Sequence, residues 1–217
     1  MSAKILISGV SNSGKTSLLK TLKDAVVLSR DGKKFPFPMY HINLKDFSNI
    51  EECIEEMYEF IERYKEKLGD YPKTIAIDSV SRLATEIENN CDNRYNGFEV
   101  WKNVSQQMNT LRLAIEDMTN IANVVIIAHS ITGDDGKTTE VSKGSFAKAG
   151  GFLSTVDYAL YTQVKKNTYT VVHKNHVMAR TLLTELPEQQ EASEFNLQDY
   201  IDLINKETVD SSKWQLQ

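Results

Sequence analysis

One stretch constrains this chain more than any other. Lys4-Ile5-Leu6-Ile7-Ser8 runs into Gly9-Val10-Ser11-Asn12-Ser13-Gly14-Lys15-Thr16 and then Ser17-Leu18-Leu19-Lys20-Thr21-Leu22. A short apolar strand, a loop matching G-x-x-x-x-G-K-T and a helix follow one another, which is the setting a phosphate-binding loop requires. Gly9 and Gly14 let the backbone curl so that successive N–H groups point inward, and a helix starting there adds its positive end to the same concavity. Residues Gly9, Val10, Ser11, Asn12, Ser13, Gly14, Lys15, Thr16 and Ser17 are thus the candidate cradle for a polyphosphate. Lys15 would neutralise β- and γ-phosphates, and the Thr16 hydroxyl would take one position on Mg2+. The competing reading is a glycine-containing turn with a surface lysine, which leaves the coincidence of strand, loop and helix unexplained.

Two further strands point at the same place. Lys73-Thr74-Ile75-Ala76-Ile77-Asp78-Ser79 reads as a buried strand ending in a carboxylate, and a carboxylate at the C-terminal edge of a sheet holds the magnesium that bridges phosphates. Asp78 therefore joins Thr16 as a candidate metal residue, while Ser79 either supports the ion or caps the next helix. Asn123-Val124-Val125-Ile126-Ile127-Ala128 delivers His129-Ser130 to that edge, where His129 could hydrogen-bond a γ-phosphate or the attacking water. An ordinary strand-end histidine is the alternative.

The connecting segments read as an alternating α/β chain. Ala25-Val26-Val27-Leu28-Ser29 and His41-Ile42-Asn43-Leu44-Lys45 are strand-like, separated by the structure-breaking Phe35-Pro36-Phe37-Pro38. Ser48 to Glu51 has capping-box spacing ahead of an apolar face that runs to Gly69. Trp101, Val104, Met108, Leu111 and Ile115 form a core stripe at helical spacing. After His129, residues 131–149 show no periodicity and read as a long soft loop. Within it Lys143, Phe146 and Lys148 combine cations with a ring, a set suited to gripping single-stranded nucleic acid. Residues 155–161 and 169–173 alternate around Lys166-Asn167 as a hairpin.

Charge and cysteine content narrow the function classes. The 217 residues carry a net charge of −5, but residues 185–217 hold eight acids against Lys206 and Lys213, so 23 basic and 22 acidic residues remain in 1–184. Gln163 to Thr184 has no acid and contains Lys165, Lys166, Lys174 and Arg180, which suits either an anionic partner or a solvated hairpin. Cys53 and Cys91 are too few for a disulfide framework or zinc site, so a reducing interior is expected. No apolar run approaches the ~18 residues that span a bilayer, so no membrane partner is expected.

In the order of its parts the chain resembles the RecA-type ATPase core, and more narrowly the short phage-encoded RecA-like proteins that act as single-strand annealing recombinases. The parts are Gly9 to Thr16, an extra strand, Asp78, His129, residues 131–149, then Gly150-Gly151-Phe152-Leu153-Ser154 and the hairpin. The resemblance covers about residues 3–184. It implies a RecA-like P-loop fold with a central mostly parallel sheet and a C-terminal antiparallel hairpin. It also implies ATP and Mg2+ in the site, homo-oligomers with nucleotide between subunits, single-stranded DNA on mobile loops, and a bacterial host cytoplasm. By the same resemblance Lys15, Asp31, Asp78 and His129 are the catalytic candidates, 131–149 corresponds to a DNA-binding loop, and Lys174 or Arg180 could reach a neighbour's γ-phosphate.

Two departures bear on activity. RecA relatives carry a water-activating Glu after the second strand, where this chain has Asp31; Asp46 is the next candidate, and turnover would be slow with the shorter side chain. The chain also shows almost nothing before the first strand, where full recombinases carry a polymerisation segment. The leading expectation is ATP-dependent annealing or pairing of single-stranded DNA with hydrolysis. The alternatives are a DNA-coating or mediator module with little turnover, in contact with a single-strand-binding protein, and, more weakly, a small-molecule kinase; no arginine-rich lid supports the last. The 1–184 core is expected to be followed by an acidic tail, 185–217, in which Leu197, Tyr200, Ile201 and Ile204 mark a short amphipathic helix.

Overall fold

The computed structural model of the chain describes residues 2–32 and 34–211. In chain order the elements are β1 (Lys4–Gly9), α1 (Lys15–Leu18), β2 (Ala25–Ser29), β3 (Tyr40–Asn43), α2 (Ile50–Leu68), β4 (Thr74–Asp78), α3 (Val80–Asp92) and α4 (Phe98–Met118). Then come β5 (Asn123–Thr132), β6 (Thr138–Glu140), α5 (Gly144–Lys148), β7 (Tyr158–Lys165), β8 (Thr168–Val172), β9 (Gln189–Glu191) and α6 (Leu197–Ser211). The sheet order is β3-β2-β4-β5-β1-β7-β8-β9, with β6 pairing off this path onto β5. Every pair from β3 across to β7 is parallel, and β7, β8 and β9 continue the sheet antiparallel. This is the mixed α/β architecture with a central, mostly parallel sheet and a C-terminal hairpin that the sequence implies.

The central strands are apolar throughout because both sheet faces are covered, as parallel sheets require. Leu6, Ile77 and Ile126 pack toward α2, α3 and α4, while Ile5, Ile7 and Ile127 pack toward α1 and α6. Lys166 and Asn167 close the β7–β8 hairpin with φ of 48° and 65°, the paired left-handed conformation of a tight hairpin turn.

Several local expectations shift by one residue. Asn49 rather than Ser48 caps α2: its side chain accepts the Glu52 N–H at 3.1 Å, and Glu52 reciprocally accepts the Ser48 N–H at 2.7 Å. Two polar residues stand side by side, each with an acid three places on, so spacing alone could not choose between them. The buried stripe of α4 starts at Val100, not Trp101, which is 49% exposed. Val100 lies one turn before Val104, and the neighbouring position is rotated about 100° away. Ser79 caps α3 through the Arg82 N–H.

Three larger differences concern the site. The helix expected after the phosphate loop is one short α-turn, Lys15–Leu18, followed by a 3-10 turn, Leu19–Thr21. Thr21 Oγ1 donates to Leu18 O and accepts the Leu197 N–H, so the turn is closed where α6 arrives. Residues 131–149 are not a structureless loop: β5 extends to Thr132, pairs with β6, and α5 follows. These pieces are too short to leave a periodic signature in sequence. Finally, the segment from 189, expected as part of an acidic tail with a short amphipathic helix, docks on the body. β9 adds to β8, with Val172 opposite Gln189 and Thr170 opposite Glu191. Leu197, Tyr200, Ile201 and Ile204 of α6 are buried in the cluster that holds Ile5, Ile7 and Leu19. Residues 212–217 of the expected tail lie outside the described residues.

Candidate functional site

The register of the parallel strands gathers the candidates on one edge. Ser29 stands opposite Asp78, Asp78 opposite Ile127, Gly9 opposite His129, and Gly9 also opposite Thr162. The carboxyl ends of β2, β4, β5, β1 and β7 thus present Asp78, His129 and the start of the phosphate loop side by side. A cavity of about 900 Å3 opens over them, lined by Ser11 to Leu18, Asp31, Asp78 and His129, among others.

The loop has the form of an anion cradle. A Cβ on Gly9 would stand 2.3 Å from Thr162 Oγ1 and 2.6 Å from Ser13 Oγ, so only glycine fits against β7. Gly14 has φ of +88°, which favours glycine independently of space. Ser13 Oγ lies 2.8 Å from Val10 O and 2.6 Å from Thr162 Oγ1, and Thr162 Oγ1 lies 3.1 Å from Ser8 O; the two hydroxyl protons serve two of these three contacts at a time. These bonds tie the loop's curl to β7. Lys15 donates from Nζ to Gly9 O at 3.0 Å and Val10 O at 2.7 Å, which holds its ammonium over the loop.

Thr16 Oγ1 donates to Asp78 Oδ2 at 2.7 Å, although the two residues are 62 apart in sequence. A hydroxyl and a carboxylate at that separation are the oxygen donors a hard divalent cation accepts. Among the described residues no group of three or more His, Cys, Asp and Glu could hold a metal by itself. The residues present therefore fit an ion shared with a bound polyphosphate rather than a protein cage.

Around this pair the structure sorts the remaining candidates. Asp31 lines the cavity and lies 3.4 Å from Arg82 Nε, and its side chain is largely shielded. Asp46, the second candidate base, is not among the cavity's lining residues. It pairs with Arg30, whose guanidinium also holds Glu86 at 2.5 and 2.8 Å and Leu44 O at 2.9 Å. His129 lines the cavity, its N–H donates to Ser81 Oγ at 2.9 Å, and its carbonyl accepts the Val141 N–H at 2.8 Å.

The DNA-contact candidates are not presented together. Lys143 Nζ pairs with Glu88 at 2.6 Å, and Phe146 packs edge-on against Phe152 with centroids 4.9 Å apart; Lys148 is exposed. The two candidates for a cation acting on a neighbour also bind their own chain. Lys174 Nζ donates to Thr184 O and Leu186 O at 2.8 and 2.7 Å, and Arg180 donates to Val156 O at 3.0 Å.

Sequence reasoning missed several residues. Thr162 braces the loop from β7, which needs a register no motif encodes. Arg82 faces Asp31 from α3. Glu140 of β6 accepts the N–H groups of Phe152 and Leu153 at 3.1 and 3.0 Å, and burial raises its carboxyl to about 7 despite those donors. Tyr169, Glu191, Ala192, Ser193 and Phe195 line the cavity from segments read as plain strand and tail.

A family model described as an AAA domain matches residues 1–194. No curated protein matches the chain. Among solved structures, a KaiC-like protein from the hyperthermophilic archaeon Pyrococcus horikoshii OT3 matches at 11% identity and a TM-score of 0.46, over 84% of this chain and 83% of that one.

Proposed function

This chain belongs to the AAA domain family, and from that premise we propose that it has a RecA-like P-loop ATPase core and is an ATP-dependent single-stranded DNA-binding protein that promotes annealing or strand pairing in phage recombination. The observation that carries the nucleotide part is the Thr16–Asp78 pair beside the glycine-pinned loop. In this reading the N–H groups of the loop hold the phosphate chain, and Lys15 exchanges the Gly9 and Val10 carbonyls for phosphate oxygens. Thr16 and Asp78 would hold Mg2+, which when bound supplies charge neutralisation at the terminal phosphates. Asp31 orients and deprotonates the attacking water, and His129 senses whether the terminal phosphate is present.

The DNA part rests on continuity. β5 carries His129 at the cavity and runs without interruption into the β5–β6 hairpin and α5. An arm fixed to a strand whose end faces the phosphate can change its position between nucleotide states. Its Lys143 and Phe146 would have to leave Glu88 and Phe152 to meet DNA, so ATP is expected to raise DNA affinity by releasing them. The reading also takes the protein to work as a homo-oligomer in a bacterial host cytoplasm.

A second reading is a DNA-coating or mediator module that keeps ATP with little hydrolysis. The contact between Asp31 and Arg82 favours it, since the Asp31 carboxylate is engaged with a guanidinium rather than presented to a water alone. Phosphate release by wild type and Lys15→Ala, each with and without single-stranded DNA, separates the two. The proposal predicts release stimulated by DNA and reduced at least about a hundredfold in Lys15→Ala. Wild-type release at the Lys15→Ala level with or without DNA contradicts it and favours the second reading.

A further inference from the structure

We propose that the side of the cavity formed by Tyr169 and the strap Glu191 to Phe195 is the seat of the nucleotide's base, with the base stacked on the Tyr169 ring. This rests on the phosphate-loop reading above and extends it to the other end of the ligand.

Strand order sets the direction of the bound chain. Asp31 follows β2, Asp78 ends β4 and His129 lies within β5, and these three strands are all on one side of β1 in the sheet. The reactive end of a polyphosphate is held there, next to Thr16 and Asp78. β7, β8 and β9 lie on the other side of β1, and the cavity continues that way past Ser17, Asn167 and Tyr169 to residues 191–193 and Phe195. A nucleotide whose terminal phosphate sits at Asp78 therefore carries its base toward β8 and β9.

That end of the cavity suits a planar base. Tyr169 is 47% exposed, and a Cβ on Gly14 would lie 3.3 Å from its Cδ1, so the ring stands directly beside the phosphate loop. Among the described residues no other ring packs on it. Phe35, the other aromatic ring at the cavity besides the buried Phe195, is already engaged, edge-on with Phe37 at 5.6 Å and against His41 at 4.8 Å. The strap is anchored to the proposed seat by the Ala192 N–H, which donates to Tyr169 O at 2.9 Å. Beyond it Phe195 is buried against His173 and Tyr200 beneath α6. A base stacked on Tyr169 would meet residues 191–193 along its edge, so base binding and docking of the C-terminal segment stabilise each other.

The test compares MgATP with magnesium tripolyphosphate, which has the phosphates and no base, by calorimetry on the full chain. Tyr169→Ala is expected to weaken ATP about tenfold or more, the size of one lost stacking contact, and to leave tripolyphosphate within about twofold. Tyr169→Leu, which keeps bulk against Gly14 without an aromatic face, should behave the same, and Tyr169→Phe should retain wild-type affinity. Unchanged ATP affinity in Tyr169→Ala overturns the proposal, as does a loss confined to Phe35→Ala. Equal losses for both ligands in Tyr169→Leu also overturn it, because the ring would then serve the loop alone. A wild type that binds neither ligand overturns the phosphate-loop reading itself, and the base seat with it; binding of tripolyphosphate by every variant keeps the two failures distinct.

Discussion

Two titratable side chains outside the phosphate site, the buried His173 and the half-buried Glu140, act against each other as pH changes. His173 is fully buried, its ring nitrogens have no hydrogen-bond partner among the described residues, and burial, with Lys174 next to it, lowers it to about 4 from an ordinary 6.5. Below pH 6.5 the unfolded chain takes up this proton first, so the stability the neutral ring contributes is lost as pH falls toward 4. Glu140 is displaced in the opposite sense, to about 7 from 4.5. Its protonated form suits the fold, so its contribution is full below 4.5 and is lost as pH rises to 7. Between 4.5 and 6.5 the two slopes oppose, each by up to about 1.4 kcal/mol per pH unit. Urea titrations should therefore show Glu140→Gln gaining stability relative to wild type as pH rises through 4.5–7, and His173→Phe losing it through 4–6.5. A pH-independent difference for both variants would show that neither shift exists.

At the scale of elements, α6 is a structural part of the core. Its apolar side chains close the sheet face on which α1 lies, each contributing roughly 1.5–3 kcal/mol by burial. Ile201→Ala should cost about 2–5 kcal/mol in denaturant unfolding. A cost under about 0.5 kcal/mol would mean the helix does not pack there. The apolar spacing of this helix was legible in the sequence, as were the parallel strands, whose continuous apolar runs follow from burial on both faces. The phosphate loop was legible because its chemistry is local: eight consecutive residues carry it. Asp78 was legible because it ends its strand, and His129 because the apolar run stops there, although β5 itself continues to Thr132. What was not legible depends on long-range placement. Thr162 reaches the loop only through the β1–β7 register, and Tyr169 reaches the cavity only because the antiparallel strands fold back beside it. The 189–195 strap looked like tail because a three-residue strand leaves no pattern and its acids, Glu191 and Glu194, are exposed. Phe146 read as an exposed ring because nothing in sequence pairs it with Phe152.

At the scale of the whole molecule, the proposed site divides one ligand between two halves of the fold. In the proposed reading strands β2, β4 and β5 would present groups for a reacting phosphate and the loop after β1 would bind it, while β7 to β9 with the strap form the far wall of the cavity. The arm built on β5 is held by Lys143 on Glu88, Phe146 on Phe152 and Glu140 on the turn at 152–153. All of this presumes that Asp78 and the loop act together on a metal-bound polyphosphate. The most direct measurement is calorimetric titration of ATP into wild type and Asp78→Asn, each with and without magnesium. The account predicts wild-type binding that weakens at least about tenfold when magnesium is withheld, and an Asp78→Asn variant that binds weakly in both conditions because the ion's carboxylate is gone. Wild-type affinity unaffected by magnesium, or an Asp78→Asn variant that keeps the full magnesium dependence, would contradict it.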